Sequence, residues 1–148
     1  VSGSDYEREL MRILRARGRR VVRSAGSMGE GDVVVIHPIL RGQGECMDPA
    51  WSGGSILEAK AVGAREPYYR PSKRVKDRAQ YAVALEMEGA GYDEWYALRV
   101  KAAPGGRVAG WRFCRPSGFS RTRTGEPVFR PADGLGLEEF LEAVPGGV

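Results

Sequence analysis

Residues 56 to 62 read Ile56-Leu57-Glu58-Ala59-Lys60-Ala61-Val62, and this stretch decides the fold. In an extended chain, successive side chains alternate between two faces. Leu57, Ala59 and Ala61 then share one face, while Glu58 and Lys60 project together from the other. Such an apolar frame predicts a strand within a sheet, and placing two charges in it is costly unless they have a purpose or a partner. Two readings stand: a surface ion pair worth about 0–1 kcal/mol, or a reactive pair around which other charged groups gather.

Upstream, Asp32 opens the β-branched run Val33-Val34-Val35-Ile36, short and apolar enough for a buried strand. An aspartate there can simply close a turn. Pro38 ends the run, and residues 38 to 54, with their Pro, Gly and Asp, read as a long surface insertion. Before Asp32, a short strand is expected over Arg20 to Arg23, then a Gly/Ser loop from Ser24 to Gly31. Downstream, a helix is expected over Ser72 to Glu88. Strands follow over Trp95 to Val100 and Val108 to Cys114, around a turn at Pro104, Gly105 and Gly106. Leu137, Phe140, Leu141 and Val144 suggest a short closing helix. With a first helix over Ser4 to Arg17, the order implies an α/β fold with a mixed sheet and helices packed on it. At 148 residues the whole chain, 1–148, is expected to be a single domain.

In that first helix, Tyr6, Leu10, Ile13 and Leu14 span an apolar arc of about 100°. Glu7 borders this arc, whereas Arg8, Arg12 and Arg15 lie opposite. Ser4 and Glu7 also have the spacing of a capping box, which gives Glu7 a purely structural alternative. Three acids bordering apolar elements, with a lysine at fixed offset, suit a hard divalent cation that keeps several waters. Asp32, Glu58 and the backbone carbonyl of Ala59 are the candidate ligands, with Glu7 completing the site. Magnesium is the expected ion, with manganese as its substitute. Lys60 is positioned to orient water or to stabilise charge on a phosphate.

The net charge is +4 and the pI about 9.3. The excess is concentrated in Arg8 to Arg23, in Arg65 to Arg78 and in Arg112 to Arg130, as suits a polyanion or a solvated surface. Cys46 and Cys114 lack metal-ligand spacing. No apolar run approaches the roughly 20 residues of a membrane helix. The polar start lacks the basic-then-apolar order of a signal peptide, so an intracellular, DNA-associated protein is expected. His37 and Trp51 read as a strand-end residue and a loop aromatic.

Asp32 followed by Glu58-Ala59-Lys60 resembles the PD-(D/E)xK nuclease signature. With Tyr6-Glu7-Arg8-Glu9-Leu10, Val21-Val22-Arg23-Ser24-Ala25-Gly26-Ser27 and the segments at Tyr69-Arg70, Arg121–Gly125 and Gly136–Phe140, the chain resembles the archaeal Holliday junction resolvases. That resemblance implies a restriction-endonuclease-like mixed five-stranded sheet flanked by helices. It further implies a homodimer that binds four-way junction DNA by shape and cuts two strands symmetrically. Glu7, Asp32, Glu58 and Lys60 match the metal and catalytic positions. Ser27 matches a serine near the scissile phosphate, with Ser24 its alternative, and Arg8 matches a basic residue beside the first acid. Arg8, Arg23, Ser24, Arg70, Lys73 and Arg74 are the expected DNA contacts. Gly31 replaces the usual proline before the aspartate, and residues 38 to 54 are long for the family.

Two equivalent cuts are most simply made by two equivalent sites. On the second helix, Val75, Ala79, Ala82 and Val83 lie on one side, and Tyr81 and Leu85 extend from another. That girth can bury one face in the sheet and another against a second copy. Two other functions stay open: a nuclease of the same fold acting on duplex, flap or damaged DNA, and a DNA-binding module without catalysis.

Overall fold

The computed structural model describes residues 3–23, 33–36, 54–101 and 110–144. Helix α1 (Gly3–Ala16) leads into β1 (Arg20–Arg23) and β2 (Val33–Ile36), and β3 (Ser55–Val62) follows. Helix α2 (Val75–Gly89) joins β3 to β4 (Asp93–Val100), which is followed by β5 (Trp111–Cys114). A small hairpin, β6 (Ser120–Arg121) and β7 (Pro127–Val128), precedes α3 (Leu137–Ala143).

Strands β1 to β5 form one sheet in sequence order. Only β3 and β4 run parallel; the other neighbours are antiparallel. The parallel pair needs a crossover, and α2 supplies it. This is the mixed five-stranded α/β sheet expected from the sequence. The hairpin β6–β7 is an addition that the sequence reading did not anticipate.

Each helix buries a stripe at i, i+3, i+4 and i+7. On α1 the buried residues are Glu7, Leu10, Met11 and Leu14, so the buried face is centred slightly beyond the arc drawn through Tyr6 and Ile13, both only half-buried. Glu7 lies within that face. Gly18, at φ +79°, ends the helix in a left-handed turn that returns the Arg19 amide to the Leu14 carbonyl. Helix α2 begins at Val75, later than expected, because Pro71–Lys73 forms one 3-10 turn and Arg74 is extended.

Side chains on the two sheet faces build separate cores. Leu10, Leu14, Val33, Leu57, Trp95 and Phe113 pack beneath α1 and α3, where Phe140 stacks on Phe113 and meets Trp95 edge-on. Tyr69, Tyr81, Tyr96, Leu98, Phe119 and Phe129 pack on the α2 face. Glu9 ties α1 to the far strands by accepting from Arg99 Nε (2.8 Å) and Trp111 Nε1 (2.9 Å). Gly54 holds the entry to β3 at φ +132°, where an added Cβ would meet the Val35 carbonyl oxygen at 2.3 Å. No described helix is long and apolar enough to cross a membrane.

Candidate active site

The register of β3 places Glu58 opposite Tyr96 and Lys60 opposite Leu98, on the face covered by α2. Glu58 retains only 6% of its exposure, and the Lys60 side chain 18%. The alternation read from the sequence therefore holds, and both charges point into the protein. They do not satisfy each other as the simple ion-pair reading supposed. Gln80 Nε2 donates to Glu58 Oε2 at 2.8 Å, while Lys60 Nζ lies 3.3 Å from Asp77 Oδ1. Lys60 also sits 5.7 Å from the centroid of the Tyr69 ring, within cation–π reach.

Asp77 and Gln80 were absent from the sequence-derived site. They occupy i and i+3 on α2 and begin its inward stripe, which continues as Tyr81 and Ala84. Their signal was present in the chain: two polar residues at helical spacing ahead of two buried ones. It could be seen only once the inward face of α2 was known.

Arg23, Val33, Leu57 and Trp95 form one transverse row across β1 to β4. Arg23 Nε lies 2.9 Å from Glu7 Oε2, so α1 is fastened to this row. Glu7 therefore comes from the helix on the opposite side of the sheet to α2. Among the described residues, the pairing of β2 with β3 ends at Val33↔Leu57.

The β2 side of β3 carries the Ala59 carbonyl. Lys101 donates to the Val62 carbonyl, so Val62 turns its backbone groups toward β4. The two-residue period of the strand then turns Ala59 the other way, toward the β2 side. Glu58 and the Ala59 carbonyl stand on neighbouring residues of one strand beside the Lys60 ammonium, and carboxylate and carbonyl oxygens are the ligands that a hard divalent cation takes. Among the described residues no three acid, His or Cys side chains cluster as a metal site. Asp32, Ser24 and Ser27, expected in this site, lie outside the described residues, as do Cys46, Trp51, His37 and the 38–53 part of the insertion. Val33, which follows Asp32 in sequence, belongs to the row next to Glu58.

The remaining sequence-derived contacts are dispersed. Arg8 is exposed, 3.6 Å from Asp5, and Arg23 pairs with Glu7. Arg70 lies 5.7 Å from the Tyr68 ring, Lys73 pairs with Glu66 at 2.7 Å, and Arg74 is exposed just before α2. The ion pair with Lys73 holds the Glu66 carboxyl below its ordinary range. Burial, and then the Asp77 carboxylate, push the Tyr69 hydroxyl far above its usual range.

Residues 1–43 match a family model described as "Archaeal holliday junction resolvase (hjc)". The chain is similar to the archaeal Holliday junction resolvases. The matched span includes Glu7, Ser27 and Asp32; Glu58 and Lys60 lie beyond it. Among solved structures, the Archaeoglobus fulgidus Holliday junction resolvase Hjc, from an archaeal hyperthermophile, aligns over 93% of each chain. Its TM-score is 0.52 at 19% identity, a likeness that shows the fold. No curated protein sequence matches the chain.

Proposed function

We propose that this chain is a structure-specific endonuclease that resolves four-way DNA junctions by paired, metal-dependent phosphodiester hydrolysis. The observation that carries the reading is the side-by-side burial of Glu58 and Lys60 on one strand face, each with its own partner on α2. The fold it shares with a resolvase and the family match over residues 1–43 support the junction as substrate.

Glu58, the Ala59 carbonyl, Asp32 and Glu7 would hold the cation, magnesium or manganese in its place. When bound, the cation supplies Lewis acidity toward the scissile phosphate and acidifies water. Lys60 places its ammonium beside that phosphate, where it offsets charge that builds on the phosphoryl oxygens as water adds and one P–O bond breaks. Ser27, or Ser24, would stand near the phosphate. Arg8, Arg23, Arg70, Lys73 and Arg74 position the phosphate backbone without reading bases.

A homodimer is part of this proposal, because paired cuts need two sites. Val22 and Ile36, on strands beside the site, and Val75, on α2, are exposed aliphatics, and Ala79 and Ala82 are exposed on α2 with Val75. A second copy would cover such surface.

The test incubates wild type and Glu58→Ala with a four-way junction and a matched duplex, in magnesium and then in EDTA. Paired cuts in the junction alone, lost in the variant with junction binding retained, are expected. Binding should fall steeply with salt as phosphate contacts are screened. Equal cutting of the duplex would instead identify a general nuclease, and metal-independent binding without cutting a DNA-binding module.

A further inference from the structure

Glu58 and Lys60 are two residues apart on one strand face, about 6–7 Å along the chain. In a poorly solvated site an acid and a base this close attract strongly. Left alone, the lysine would fold onto the carboxylate and take the place of a cation. The structure prevents this through α2. Gln80 holds Glu58 Oε2 with a neutral amide, which orients the carboxylate without cancelling its charge. Asp77 draws Lys60 to a separate position, with a carboxylate as buried as the lysine itself.

The distances differ in a telling way. The Gln80–Glu58 contact of 2.8 Å is a full hydrogen bond. At 3.3 Å, Lys60–Asp77 is longer than the 2.7–2.9 Å or so typical of charge-assisted bonds. Carboxylate and ammonium are thus held by different groups of α2.

We infer that Gln80 and Asp77 are positioning residues that keep Glu58 and Lys60 apart, Gln80 by orienting the metal-binding carboxylate and Asp77 by withholding the ammonium from it. The inference rests on the proposed metal-dependent site and adds two residues to its working parts.

Direct Mn2+ binding to the free protein, followed by electron paramagnetic resonance, is the decisive readout. Asp77→Asn and Gln80→Leu should each weaken Mn2+ binding by about 10–100-fold, the usual cost of losing a group that orients a ligand. Asp77→Glu should recover most of the affinity. In the Asp77→Asn background, Lys60→Met should restore Mn2+ binding while junction cleavage stays lost, because the competing ammonium is gone. Circular dichroism and junction binding in EDTA report whether each variant is folded. Wild-type affinity in Asp77→Asn or Gln80→Leu, no recovery on adding Lys60→Met, or no Mn2+ binding by wild type would each overturn the inference. Wild-type cutting of junctions together with unaltered variants would leave the proposed function intact. The predicted Mn2+ pattern in a protein that cuts no junction would uphold the positioning roles and reject that function.

Discussion

Arg23 Nε and Glu7 Oε2 meet at 2.9 Å, joining the last residue of β1 to α1 through an acid only 9% exposed at its side chain and a base 45% exposed. The capping role that the Ser4–Glu7 spacing allowed is thus not needed to explain the acid. Its partner comes from a strand, and the pair links the first helix to the row of residues beside Glu58.

That link has a measurable worth. An ion pair with a half-exposed guanidinium contributes about 0–1 kcal/mol. Arg23→Ala should reduce the urea unfolding free energy by that amount, with little change in the denaturant slope. In a Glu7→Gln background the loss should shrink, and a double-mutant cycle isolates the coupling. Equal losses in both backgrounds would mean that the two residues act independently.

Phe140 is fully buried, 4.1 Å from the Phe113 ring centroid and 5.0 Å from that of Trp95. Phe140→Ala should therefore cost about 3–5 kcal/mol, through lost burial and the cavity left under α3. The denaturation midpoint checks this, and Trp95 fluorescence should report looser packing at its edge.

Val75 is 79% exposed at the start of α2, on the side away from the sheet. Val75→Glu should change the intrinsic fold stability by no more than about 0.5 kcal/mol. The same substitution, or Ala82→Glu, should shift the proposed dimer toward monomer in sedimentation experiments. Paired cutting of one junction should then separate into two independent nicks. An unchanged sedimentation profile would move the interface elsewhere.

Burial pushes Tyr69, Tyr81 and Tyr96 above the ordinary phenol range, and the Cys114 thiol up from 9.0 to about 11. In each case the folded protein holds a proton that the unfolded chain gives up more readily. The resulting stability is complete below the unfolded pKa values and declines as pH rises through the folded ones. For Cys114 that window is about pH 9 to 11. The urea midpoint should accordingly fall across alkaline pH, with phenolate absorbance from the buried tyrosines appearing together with unfolding. Tyr96→Phe should stay within about 1 kcal/mol of wild type at pH 7, because its buried hydroxyl has no hydrogen-bond partner among the described residues.

Much of the frame was legible from local pattern. Alternation in Ile56 to Val62 predicted a strand with Glu58 and Lys60 on one face, and the β-branched run after Asp32 predicted its neighbour. Helical spacing of Leu10 and Leu14 predicted α1 and brought Glu7 to its buried side. The two-residue hairpin strands at Ser120 and Pro127 are too short to carry such a period, and they went unread. Asp77 and Gln80 escaped for another reason: the apolar residues of α2 surround it, so composition could not say which side turns inward.

The amino-acid sequence by itself determined the order of the main strands and helices and, on α1 and β3, the side on which the charges lie. Those are consequences of periods of 2 and 3.6 residues, which act between near neighbours. Which charges became partners was decided only by the tertiary structure. Lys60 pairs with Asp77 across 17 residues, Gln80 reaches Glu58 across 22, and Arg99 meets Glu9 across 90. Electrostatic and hydrogen-bond energies depend on distance in space, and packing α1 and α2 on opposite faces of the sheet sets those distances.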